Sequence, residues 1–174
     1  MSTWFVMNVA DAPAVRHPVA GDWIRFEHPE ERFPHIGVNI RVLQPGQPNA
    51  VYHSETTQED FLVLSGRCLA IIAGEERVLG PWDLVHCPPG TPHVFVGMAP
   101  GPCAILMLGA RIPGKRVEYP VEPLAARHGA SVAAPTTSPD EAYAAWGGEF
   151  TPIPAPWPPA PAPSPSGNTD PAGG

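Results

Sequence analysis

Tyr52-His53-Ser54-Glu55-Thr56-Thr57-Gln58-Glu59-Asp60-Phe61 sets an imidazole and two spaced glutamates just ahead of the apolar run Phe61-Leu62-Val63-Leu64. Further along, Pro88-Pro89-Gly90-Thr91-Pro92 delivers a second imidazole, His93. His53 and Glu55 are two positions apart, so on a strand they project to the same face. Glu59 returns to that face if the backbone bends through Thr56-Thr57. His93 has to come from a neighbouring strand, set at its start by a turn in which Gly90 is permissive and the prolines fix φ. Two imidazoles with one or two carboxylates suit a divalent Fe, Mn, Ni or Zn ion, and affinity order alone does not choose among them.

The segments around and between these groups read as strands. Gly37-Val38-Asn39-Ile40-Arg41-Val42-Leu43 alternates with period two and stops at Gln44-Pro45-Gly46-Gln47-Pro48, a turn by composition. Asp60 to Leu64, Cys68 to Ala73, Glu76 to Leu79, Asp83 to Cys87, His93 to Val96 and Cys103 to Leu108 follow, each ended by glycine or proline. Short strands at this spacing predict an antiparallel sandwich or barrel. Before Ile36 only Asp22 to Glu27 alternates as a strand should. Short helices are expected over Pro123 to Gly129 and Pro139 to Trp146, the second with Asp140 and Glu141 in its first turn.

At 174 residues, 43% of them apolar, the chain is expected to form one domain with a substantial core. A net charge of −7 and no Lys/Arg cluster argue against nucleic acid as a partner. No apolar run approaches a membrane span, and the N-terminus lacks the pattern of a secretory signal. Three cysteines without a CxxC pair argue against a disulfide framework or a structural zinc site, so a cytoplasmic setting is expected. Nine of the 26 prolines fall between Pro152 and Pro171, and that stretch is read as a disordered tail with polyproline II character.

His53-x-Glu55-x-x-x-Glu59-x-x-x-x-x-x-Gly66 resembles the first motif of the cupin superfamily, and Pro88-x-Gly90-x-x-His93 resembles the second. The resemblance spans about residues 38 to 110. It implies an all-β, double-stranded β-helix (jelly-roll) barrel, a homodimer, and one metal on the barrel axis. It divides the chain into an N-terminal strand or arm packing on the barrel (1–35), the barrel core (36–112), a C-terminal extension with the short helices (113–150) and the disordered tail (151–174). Carried over position by position, it makes His53, Glu59 and His93 metal ligands. Three positions depart from the pattern. Glu55 stands where a second histidine is usual, Trp82 replaces a glycine before Asp83, and Gly97 sits where asparagine is common.

Glu55 has two readings: a fourth ligand that brings a second negative charge, or a proton acceptor beside a two-histidine, one-carboxylate triad. The implied function is a metalloenzyme acting on a small molecule, either a dioxygenase (an oxidoreductase) or a metal-assisted isomerase or lyase. The alternative is a non-catalytic metabolite-binding or structural dimeric barrel. Cys87 shares the inward parity of Val85 and is read as a small buried hydrophobe, while His86 points away. Tyr52 and Phe61 are candidate pocket walls, and Asn39 and His35 candidates for the pocket rim.

Overall fold

A computed structural model describes residues 4–27 and 32–156. Their strands are β1 (Ala14–His17), β2 (Gly21–Arg25), β3 (Ile36–Leu43), β4 (Ser54–Glu55), β5 (Glu59–Ser65) and β6 (Cys68–Ile72). They continue as β7 (Glu75–Leu79), β8 (Leu84–Cys87), β9 (His93–Gly97), β10 (Cys103–Ala110), β11 (Val117–Glu118) and β12 (Thr151–Ile153). Two single-turn helices, α1 (Pro123–Ala126) and α2 (Pro139–Ala142), follow β11. Each has proline in its first turn and a capping side chain: Glu122 accepts from the Leu124 N–H and Ser138 from the Glu141 N–H.

The strands form a seven-stranded sheet in the order β12-β1-β2-β3-β10-β5-β8, a three-stranded sheet β7-β6-β9, and the pair β11-β4. The inner faces of the two larger sheets meet in one apolar cluster. Phe61, Val63, Cys87, Ile105 and Met107 come from one sheet, Cys68, Ala70 and Phe95 from the other. Antiparallel sheets closed over such a core make the fold an all-β double-stranded β-helix. Each fully buried large side chain stabilises it by about 1.5–3 kcal/mol before entropy is counted.

The outer faces are covered as well. Ile24, Ile40, Val42 and Ala104 pack under Ala12, Ala14, Met7 and Val9 of the N-terminal arm. Ile71 and Val94 pack under Tyr52, Ala125 and Ala130. Two glycines are required by close approach. A Cβ on Gly66, whose φ is +72°, would run into the Pro102 carbonyl and lie 2.8 Å from the Cys103 Cα. One on Gly97 would meet the carbonyl oxygens of Gln44 and Leu43, which explains glycine at that position.

The structure departs from the sequence reading at both ends. Ala14–His17 is a strand, although its alternation is too short to stand out. Thr151–Ile153, the start of the expected disordered tail, pairs with β1 in register Ala14↔Ile153, because edge strand β1 offers it free backbone groups. Residues 157–174, the rest of that expectation, lie outside the described residues. The helices are shorter than expected, since glycine and loop residues follow each after one turn.

Candidate metal centre and its cavity

His53 and His93 are brought together by backbone pairing. The His53 N–H donates to the His93 carbonyl at 3.2 Å and the His93 N–H to the His53 carbonyl at 2.8 Å, an antiparallel bridge that sets the side chains next to one another. Their ring centroids lie 5.0 Å apart. The turn before His93 is anchored by the Gly90 N–H donating to the Glu55 carbonyl at 2.7 Å. Glu59 opens β5 between β8 and β10, opposite Cys87 and Gly109.

Each imidazole has its Nδ1 beside a backbone carbonyl: Val51 at 2.7 Å for His53 and Thr91 at 3.0 Å for His93. A carbonyl only accepts, so the proton sits on Nδ1 and Nε2 keeps its lone pair, the usual outer-shell arrangement of a metal-binding histidine. Nε2 of His93 is buried without a hydrogen-bond partner and lies 3.5 Å from Oε2 of Glu59. One ligand atom from each of His53, Glu59 and His93 falls within 4.8 Å of the others.

The electrostatics of the three side chains suit a cation between them. Burial pulls His93 from 6.5 down to about 4, with His53 adding to the shift, and burial also lowers His53. Burial, then the charge of Glu55, push Glu59 up from 4.5 to about 8, while Lys115 opposes them. Two neutral imidazole lone pairs face a carboxyl group whose charged form burial disfavours in the absence of a counter-charge. A divalent ion satisfies all three, so the donor set fits one.

Glu55 lies outside that group of three. Its Oε2 is engaged by the Lys115 ammonium and accepts from the Thr57 hydroxyl at 3.2 Å. Lys115 is the chain's single lysine. It is delivered by the pairing of β11 with β4, Val117 opposite Glu55 and Glu118 opposite Ser54. A cavity of about 540 Å³ opens over the centre, lined by His53, Glu55, Glu59, Phe61 and His93 and by Trp23, Asn39, Arg41, Lys115, Tyr119 and Tyr143. The Phe61 ring lies tilted against His93 and Phe95, with centroids 4.8 Å and 4.5 Å away, so it is both wall and core.

Other sequence candidates fall elsewhere. Cys87 is buried in the core, its thiol pushed up to about 11 by burial. His86 pairs with Asp60 at the surface at 2.6 Å, and His35 is exposed. Tyr52 is core, its hydroxyl accepting from the Gly74 N–H at 3.2 Å. Lys115, Tyr119 and Tyr143 were not singled out from the sequence. The apolar alternation Val117-Glu118-Tyr119 and the solitary lysine beside it were the available signals.

Residues 39–109 match the family model for the cupin domain. That segment of the chain is a cupin domain. Among solved cupin-fold structures, the polyketide cyclase RemF from Streptomyces resistomycificus is 19% identical over 66% of this chain and 84% of its own, with a TM-score of 0.55. A cupin protein from Bacteroides fragilis is 20% identical over 66% and 89%, with a TM-score of 0.52. A sugar phosphate isomerase of the cupin superfamily from Silicibacter pomeroyi is 24% identical over 55% and 62%, with a TM-score of 0.51. The chain therefore spans about three fifths of that isomerase's length, and at these identities the likeness is one of fold. No curated protein matches the sequence. No helix among the described residues is long and apolar enough to cross a membrane.

Proposed function

We propose that this cupin is a metal-dependent enzyme that moves a proton on a small molecule held in the barrel, an isomerase or lyase by reaction class. The observation that carries the reading is the juxtaposition of His53, Glu59 and His93 with the Glu55–Lys115 ion pair in one cavity. His53 and His93 would hold a divalent ion through Nε2 and Glu59 through a carboxylate oxygen. Such an ion supplies a Lewis acid that draws electron density from a bound oxygen atom. Glu55 takes or returns the proton at the substrate, and Lys115 holds its carboxylate in place and stabilises its charge. Tyr119, Phe61 and Met107 wall the reacting end and exclude water. Two histidines and one carboxylate also suit iron-dependent dioxygenation, which is the second reading. The proposal includes a homodimer in the cytoplasm, testable by sedimentation and fractionation.

Metal analysis of the purified protein with His53→Ala and His93→Ala tests the centre. Near-stoichiometric metal in the parent and at least a tenfold loss in both variants is the expected result. Full metal content in both variants would remove the centre. Solvent deuterium exchange into a panel of small hydroxyketones, followed by NMR, tests the chemistry, and Glu55→Gln should abolish it. Oxygen consumption without exchange would select dioxygenation instead.

A further inference from the structure

The far end of the same cavity holds a second set of unsatisfied groups. On β2 and β3, Trp23 pairs with Arg41 and Arg25 with Asn39, so the four side chains form a two-by-two tile on one side of the sheet; Trp23, Asn39 and Arg41 line this cavity and Arg25 lines the one adjoining it. Their neighbours Ile24, Ile40 and Val42 go to the opposite face. Nε1 of Trp23, Nε of Arg25, Oδ1 of Asn39 and Nη1 of Arg41 are all buried without a hydrogen-bond partner. Buried polar atoms are nearly always partnered, so four orphans in one tile mark a place where something polar binds.

The tile also carries uncompensated charge. Glu27 is taken by Arg111 at 2.9 Å and Glu55 by Lys115, while neither Arg25 nor Arg41 has a carboxylate partner among the described residues. Both guanidiniums lie over the Trp23 ring, Arg41 at 4.7 Å and Arg25 at 5.1 Å, a contact that offsets only part of the cost of their burial. Water would satisfy the four atoms but would leave the charge unmatched. An anion does both.

We propose that this tile binds the carboxylate of the cupin's small-molecule ligand, received by Arg41 with Arg25, Trp23 and Asn39 around it. A monoanion is favoured over a phosphate dianion, because the cavity already holds Glu59 and Glu55. Glu59, Gly109 and Gly37 share a rung, with Arg41 four residues further along β3. At ordinary strand spacings the Glu59 and Arg41 Cα atoms are then roughly 16 Å apart, a gap that the two side chains narrow. A ligand with its carboxylate on Arg41 can therefore present a group several bonds away to the metal end. The inference adds a substrate class to the reading above, yet carboxylate binding itself needs no metal.

The test is calorimetric titration of the parent in chelator with benzoate and a series of short monocarboxylates, each set against the amide of the same skeleton. Carboxylates should bind and their amides should bind at least about tenfold more weakly. Arg41→Met should remove that preference, and Arg41→Lys should restore part of it. If Arg41→Met does not fold, the Arg41 side-chain N–H resonances in the parent decide, shifting with benzoate and not with benzamide. Equal binding of acids and amides, binding of neither, or an Arg41→Met variant with the parent's preference would overturn the assignment. His93→Ala separates the two readings: it should lose metal and keep the carboxylate preference.

Discussion

Removing the metal should make stability depend on pH in one direction above pH 6.5, and Glu59 is the cause. Its folded pKa of about 8 lies above the ordinary 4.5, so between those values the native state holds a proton that the unfolded chain has released. Stability then falls as pH rises, at up to about 1.4 kcal/mol per unit. His93, lowered from 6.5 to about 4, and His53, shifted the same way, act in the opposite sense, costing stability as pH falls, and their effect fades about one unit above 6.5. The Cys87 thiol, raised to about 11, enters only at higher pH. From pH 6.5 to 8, Glu59 contributes a loss of roughly 1.6 kcal/mol, of which the two histidines offset up to about half, leaving about 1 kcal/mol, still a sizeable part of a typical domain's stability. Urea unfolding in chelator, followed by tryptophan fluorescence at half-unit steps, measures it. Glu59→Gln should flatten the slope, and added metal should stabilise the parent more at pH 8 than at 6.5. A flat profile in the parent, or the same slope in Glu59→Gln, would refute the account.

Lys115→Met removes the cation that holds Glu59 down, so in the metal-free protein the alkaline loss should extend beyond pH 8; an unchanged endpoint would contradict the placement of Lys115. Gly66→Ala forces a Cβ against Pro102 and Cys103 at φ +72° and should cost about 3 kcal/mol or more in denaturant unfolding, against under 1 for alanine at open, extended positions. Phe95→Ala, emptying the centre of the core, should cost about 3–5 kcal/mol by the same measurement. Cys68, Cys87 and Cys103 are all buried, so native protein should show no fast thiol with a colorimetric disulfide reagent and three after denaturation; one fast native thiol would count against the packing.

The barrel and the triad were legible because both follow local rules. Period-two alternation marked the long strands, and the spacing of His53 and Glu59 to the turn before His93 marked the ligands. What escaped depends on contacts between distant segments. Ala14–His17 is too short to show alternation, and Thr151–Ile153, within a proline-rich run, becomes a strand only because β1 is there to receive it. Glu55 was conspicuous, but its partner was not, since Lys115 reaches it through the two-residue pairing of β11 with β4. Arg41 read as one more polar position on an alternating strand, and its lack of a counterion appears only when its neighbours are assembled.

The β11–β4 pairing and the β2–β3 tile divide the labour of the cavity between different stretches of chain. The three candidate metal ligands, with Asn39 and Arg41 of the tile, lie inside the segment that matches the family, 39–109, whereas Trp23 and Arg25 precede it and Lys115, Tyr119 and Tyr143 follow it. New flanks on this barrel would exchange Trp23, Arg25 and Lys115 while leaving the candidate metal ligands and Arg41 in place, so the surroundings of the proposed carboxylate site can be changed without touching its central cation.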